Sequence, residues 1–210
     1  MSSSVKDDAV HMRRAIDLAL ASMGETWPNP AVGCVLVKDG VVLAEAATAP
    51  GGRPHAEEQA VPAAGEAVKG ATAYVTLEPC GARSSGRKSC AHFLAEAGVE
   101  RVVIAALDPS PFASGRGTER LRQSGLTVET GLLAEDAAVL SEGFLHRLET
   151  GRPMVRLSED GAGFDGRFVA APRADLTTEL NRLGEAGYTR LWTQEGELAD
   201  ALREQGLLTD

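Results

Sequence analysis

Four residues of this chain have types and spacing that can do chemistry together. His55 is followed at the second position by Glu57, and further on Glu78-Pro79-Cys80 precedes Cys90 by ten residues. Imidazole and thiolate are the ligands zinc prefers, and three protein ligands leave the fourth tetrahedral position open for water, which makes the metal catalytic rather than structural. The spacing therefore predicts one Zn2+ per chain on His55, Cys80 and Cys90. Zinc lowers the pKa of its water towards neutrality. Glu57 can face the same pocket without being a ligand, moving a proton from that water to a ring nitrogen and on to a leaving amine. The reaction this describes is hydrolytic deamination of an amidine-like carbon. Both cysteines are expected near the start of a helix ending around Ala97, where free amides and the helix dipole favour thiolate.

The remaining candidates carry less. Cys34 lies in the apolar run Val32-Gly-Cys-Val-Leu-Val37 and is expected to be a small buried hydrophobe. His11, His92 and His146 have no matching partners and are taken as helix residues, with a contact between His92 and the Cys90 ligand left open. With only three cysteines in a chain expected to be cytoplasmic, metal binding or burial accounts for them better than disulfides do.

The elements that must position these residues follow from periodicity. Apolar residues from Val10 to Met23 recur at three- and four-residue steps, which predicts a helix from Asp8 to Ser22 with Asp7 or Asp8 as its cap. Pro28 and Pro30 stop it and present Asn29 in a loop. Val32 to Val37 and Val41 to Ala44 flank Asp39-Gly40 as a hairpin. A helix is expected from His55 to Gly65, strands at 71–77, 101–106 and 127–130, and helices at 91–97, 119–124 and 134–150, the last with Leu140, Phe144 and Leu148 on one face. Strand and helix alternating after residue 70 imply an α/β sheet with parallel members. A boundary is placed near residue 150. Beyond it the chain is glycine-rich and acidic, with one helix (175–186), one strand (189–193) and a second helix (197–205), too few apolar anchors to stand alone rather than dock on the main body.

Composition narrows the function classes. Of the 210 residues, 43% are hydrophobic and 24% charged, the balance of a soluble globular protein. The formal charge of −9 repels polyphosphate backbones, so no nucleic-acid partner is expected, and a small-molecule substrate is favoured. No stretch approaches the roughly 20 apolar residues of a membrane span, and no targeting segment is visible. The expected location is cytoplasmic and the expected assembly a homodimer or higher homo-oligomer.

Several segments, in order, resemble a known family. Pro28-Asn-Pro-Ala-Val-Gly-Cys34, Pro54-His-Ala-Glu57, Thr72-Ala-Tyr-Val-Thr-Leu-Glu-Pro-Cys80, Asp108-Pro-Ser-Pro111, Gly115-Arg-Gly117 and Gly143-Phe-Leu145 are similar to the deaminase domain of the RibD riboflavin-biosynthesis deaminase/reductase family. The resemblance implies a three-layer α-β-α cytidine-deaminase-like fold over residues 1–150 and zinc on His55, Cys80 and Cys90, with Glu57 as the proton shuttle. It also implies a substrate, the 5′-phosphorylated ribosylamino-diaminopyrimidinone formed early in riboflavin synthesis, held by Asn29 and Ala56. The loop from Cys80 to Cys90 is one residue longer than the family's and lacks its histidine and prolines, but Arg83, Arg87 and Lys88 with Ser84 and Ser85 suit a phosphate. Ala47-Thr48 stands where the family has a histidine. Phe164-Asp-Gly-Arg167 and the run from Leu191 to Leu202 resemble the first and late segments of the reductase domain. Residues 151–210 are therefore expected to be a truncated, non-catalytic reductase-like remnant, without NADPH. Two alternatives remain from the residues: a zinc deaminase of another nucleobase, nucleoside or aminated heterocycle, and a non-catalytic regulatory relative, against which the retained Glu57 speaks.

Overall fold

The computed structural model describes residues 5–82, 88–110, 114–171 and 175–209. The first element is α1, Val5–Ser22. Its buried stripe is Asp8, Met12, Ala15, Ile16 and Ala19, while Val10 and Leu20 fall off the stripe and are exposed. Asp8 is not a cap, as the sequence suggested. It lies within the helix and its carboxylate turns inward, where Oδ1 accepts from the Tyr74 hydroxyl at 2.6 Å and both oxygens accept from Arg101 at 2.9 and 2.8 Å.

The hairpin forms as β1 (Gly33–Lys38) and β2 (Val41–Ala47), antiparallel around a turn in which Asp39 and Gly40 both take positive φ, 51° and 77°. The other strands of the main sheet are β3 (Thr72–Leu77), β4 (Arg101–Ala106) and β5 (Thr127–Thr130). Their order is β2-β1-β3-β4-β5, with β1 antiparallel to β3 and the rest of that side parallel. This topology brings the start of β1 and the ends of β2, β3 and β4 to one end of the sheet.

Side-chain alternation along the strands sorts the core into two layers. Cys34, Leu36, Val75, Val102 and Ile104 face α2 (Ala56–Ala64), α3 (Cys90–Glu96) and α4 (Arg116–Gln123). Val35, Val37, Tyr74, Val103 and Ala105 face α1 and α5 (Ala134–Thr150). The result is the three-layer α-β-α arrangement anticipated from the sequence. Leu148, expected on the buried face of α5, is exposed, because only the N-terminal part of that helix covers the sheet.

Residues after 150 hold more structure than the sequence suggested. Beside α6 (Leu176–Glu185), β8 (Arg190–Thr193) and α7 (Glu197–Glu204), two strands appear that periodicity did not reveal: β6 (Met154–Leu157) and β7 (Gly166–Arg167). They flank β8 in a parallel three-stranded sheet. Gly166–Arg167 is too short to show alternation, and Met154–Leu157 has only the minimum length at which a pattern can show. Val155, Phe168, Leu176, Leu180, Leu191 and Leu202 form a small core of their own. The lobe is fastened to α5 by Arg190, which donates to the Val139 carbonyl at 2.6 Å and to Glu142 Oε1 at 2.8 Å. Gly143 permits this approach, since a Cβ there would stand 2.2 Å from Arg190 Cγ.

Candidate metal centre and substrate cleft

His55 ends the turn after β2 and is the N-cap of α2; its backbone N–H donates to Glu58 Oε2 at 2.9 Å, so the helix grips its own first residue. Cys80 follows β3 and Cys90 is the first residue of α3. The Cys90 amide, one of the donors a helix start leaves without an internal partner, donates to Cys80 Sγ at 3.2 Å. The His55 Nδ1 stands 3.3 Å from Cys90 Sγ, and one donor atom from each of the three residues lies within 4.8 Å of the others. Metal bonds of about 2.1 Å to nitrogen and 2.3 Å to sulfur at a tetrahedral angle would set those two donors about 3.6 Å apart. Donor chemistry and spacing thus both fit zinc.

The Glu57 carboxyl is 2% exposed and lines the same cleft. Burial pushes its pKa up; the His55 imidazole opposes this shift and the Cys80 sulfur adds to it. Burial also raises the Cys34 thiol well above the ordinary range, and that side chain stays in the core layer of β1.

Glu78, between strand and ligand, has a different task. It is buried, its Oε1 accepts from the Thr118 amide at 2.9 Å and hydroxyl at 3.0 Å, and its Oε2 accepts from the Gly115 amide at 3.1 Å and the Asp108 amide at 3.4 Å. Those donors belong to the loop after β4 and the start of α4. Contact there is backbone to backbone, since a Cβ on Gly117 would stand 1.8 Å from the Pro79 carbonyl oxygen. Glu78 therefore locks the Pro79-Cys80 turn against α4.

The cleft has a volume of about 160 Å³. Asn29, Arg53 and Phe144 line it together with His55, Glu57 and Cys80, and the floor is completed by Asp108 and Ser110. Burial raises the Asp108 carboxyl, against the hydrogen bond it accepts from the Ser110 amide at 2.8 Å. Arg53 is the one lysine or arginine among the described lining residues.

Comparison with known proteins gives this geometry its context. The model for the cytidine and deoxycytidylate deaminase zinc-binding region matches residues 5–106. A diaminohydroxyphosphoribosylamino-pyrimidine deaminase of Buchnera aphidicola subsp. Acyrthosiphon pisum is 42% identical over 147 residues, which cover 70% of this chain and 99% of that protein. The chain belongs to this deaminase family. The family's RibD member from Escherichia coli is 47% identical over 184 residues, 83% of this chain and 50% of that protein, so the chain spans about half the length of that relative. Among solved structures, Acinetobacter baumannii RibD (form 1) superposes with a TM-score of 0.82 at 28% identity, covering 98% of this chain and 85% of that chain.

Of the residues singled out from the sequence, the structure brings His55, Glu57, Cys80 and Asn29 into the lining of this cleft, with Cys90 beside His55. Ala56 is fully buried in the core layer and does not line the cleft, leaving its backbone as the part that could meet a ligand. Lys88 is exposed and bonded to Glu96 Oε2 at 2.6 Å. Arg83 and Arg87 lie outside the described residues. Thr48 is tied to β1, accepting from the Val32 amide at 3.0 Å. His92 turns from Cys90 to Glu96, at 3.2 Å. Arg53, Asp108, Ser110 and Phe144 were not assigned to the cleft from sequence. Asp108-Pro-Ser-Pro111 was visible as a family segment, whereas Phe144 read as a core-facing helix residue and Arg53 carried no signal.

Proposed function

We propose that this chain is a zinc-dependent aminohydrolase that removes the amino group from an aminated pyrimidine, the 5′-phosphorylated ribosylamino-diaminopyrimidinone of riboflavin synthesis. The observation that carries this reading is the convergence of the His55, Cys80 and Cys90 donor atoms with a buried Glu57 on one cleft. The names of the Buchnera and Escherichia coli relatives support the substrate. Zinc on His55, Cys80 and Cys90 would supply a Lewis acid and water activated at neutral pH. The protein's own part is proton traffic: Glu57 takes one proton as the water oxygen bonds to the amidine-like carbon and gives it to the ring nitrogen, then takes the second from the new hydroxyl and gives it to the amine as C=O forms, the C–N bond breaks and ammonia leaves. Asn29, the Ala56 backbone and the loop carrying Arg83, Arg87 and Lys88 are proposed as substrate contacts.

Residues 1–150 are proposed as the deaminase domain and 151–210 as a truncated, non-catalytic reductase-like remnant. The 99% coverage of the Buchnera protein by 147 residues supports that boundary, and the 98% coverage in the RibD superposition takes in the second lobe. A second substrate reading, another aminated heterocycle at the same zinc, is favoured by the commitment of Thr48 to Val32 and Lys88 to Glu96.

The test is ammonia release from the phosphorylated pyrimidinone by the zinc-loaded protein. Turnover that falls by a factor of about 10²–10⁴ in Glu57→Ala, with zinc content unchanged, is the expected result. No release from this compound alongside turnover of a free base or nucleoside would transfer the proposal to the second reading. Replacing Arg87 and Lys88 together by alanine should raise KM for the phosphorylated substrate, and an unchanged KM would remove that loop from the site.

A further inference from the structure

The wall of the cleft that carries Asn29 is held from the second lobe. Tyr188 stacks on Trp27 with ring centroids 4.3 Å apart and planes 17° from parallel. Next to it Gly187, at φ +102°, lies so close to the same loop that a Cβ would stand 2.9 Å from Pro28 Cβ. Arg147 of α5 spans the seam, donating to the Pro28 carbonyl at 3.4 Å and to the Gly184 carbonyl of α6 at 3.2 Å. Asn29 in turn passes the constraint onward. Its Nδ2 donates to the Gly52 carbonyl at 2.8 Å, and Gly52 leads through Arg53 and Pro54 to His55. A continuous series of contacts therefore runs from Tyr188 through Trp27 and Asn29 to the turn that delivers a candidate metal ligand. Asn29, Pro30 and Phe144 have one side on the cleft and the other on a seam shared with Asp165, Thr189 and Arg190.

We propose that the C-terminal lobe is a strut for the substrate cleft and that Tyr188 is a positioning residue, which acts through Trp27 to keep Asn29 and the Gly51–Pro54 turn in place. The lobe then sets substrate affinity while taking no part in proton transfer. This rests on the proposed deaminase activity and adds to it a reason for residues 151–210 to be present. An aromatic pair contributes about 0.5–1.5 kcal/mol beyond its buried area, so loss of the ring should loosen the loop by a factor of roughly three to ten.

The test uses the full-length zinc-loaded protein and two readouts. In Tyr188→Ala, KM for the aminated pyrimidine is expected to rise roughly three- to ten-fold while kcat and zinc stoichiometry stay within about two-fold. Tyr188→Phe, which keeps the stacking ring, is expected to restore KM. Hydrogen exchange, which needs no substrate, should be faster in Tyr188→Ala at residues 26–31 and 51–54 and unchanged in β3 and β4. Arg203→Ala, which breaks exposed ion pairs to Glu195 and Asp200 elsewhere in the lobe, should change neither readout. Unchanged KM and unchanged exchange in Tyr188→Ala would overturn the strut. So would an equal loss of kcat and zinc, which would reduce the stack to a general contribution to folding. Failure of the wild-type protein to deaminate any aminated heterocycle would sink the activity instead, and the exchange pattern would still decide whether Tyr188 restrains the loop.

Discussion

Replacing Glu78 by glutamine changes one oxygen to an NH2 group in a site where every partner is a donor. The carboxylate accepts from the Thr118 amide and hydroxyl through Oε1 and from the Gly115 and Asp108 amides through Oε2. An amide can keep one of these pairs. The least costly orientation retains the Thr118 pair and turns NH2 towards Gly115 and Asp108, the longer contacts at 3.1 and 3.4 Å. Hydrogen bonds to a charged group contribute about 1.5–3 kcal/mol each, and the Asp108 contact is long, so the loss should be about 2–4 kcal/mol. For a chain of this size that corresponds to a fall in Tm of about 5–15 °C. The same change releases the Pro79-Cys80 turn, and weakening a support of this kind costs about 10- to 100-fold in metal affinity. Urea unfolding at saturating zinc reads the first effect and competition with a zinc chelator reads the second. Glu78→Gln with stability within about 0.5 kcal/mol of wild type and unaltered zinc affinity would refute the assignment of Glu78 as the lock between Cys80 and α4.

Three further outcomes follow from packing and charge. Gly117→Ala would drive a Cβ to 1.8 Å from the Pro79 carbonyl oxygen, so it should cost about 3 kcal/mol or more and release zinc, as read by unfolding and metal analysis. Arg101 joins the buried Asp8 to Glu129, and Arg101→Met should cost about 3 kcal/mol in urea unfolding by removing the guanidinium bonded to both oxygens of the Asp8 carboxylate. The hydrogen bond from Arg101 holds the Glu129 carboxyl below the usual glutamate range. A depressed folded-state pKa contributes stability above the unfolded value and loses it as pH falls through the folded one. Because Glu129 is half exposed, Glu129→Gln should cost only about 0.2–1 kcal/mol at pH 7. That difference should vanish once the pH drops below the glutamate range, and one that persists in acid would refute the pairing.

The candidate metal donors were legible because their chemistry is tied to local spacing: His55 and Glu57 share one helix start, and Cys80 and Cys90 bracket one loop. The main sheet was legible from alternation in runs such as Cys34 to Val37. What escaped depends on contacts between segments far apart in the chain. Asp8 resembled a helix cap because acidic residues near a helix start usually are, and only the approach of Tyr74 and Arg101 made it a buried anchor. Glu78 has its four donors some 30 to 40 residues downstream. Met154–Leu157 and Gly166–Arg167 are strands because β8 lies between them, a pairing that no local pattern encodes.

The hairpin turn at Asp39-Gly40 has a practical consequence. It caps the end of the sheet opposite the cleft, and a Cβ at Gly40 would meet nothing within 4 Å. Peptide tags or whole domains inserted there would project into solvent, away from Asn29, His55 and Cys80. The fold thus offers a permissive attachment point for tethering the protein to a surface or to a second enzyme in the same route.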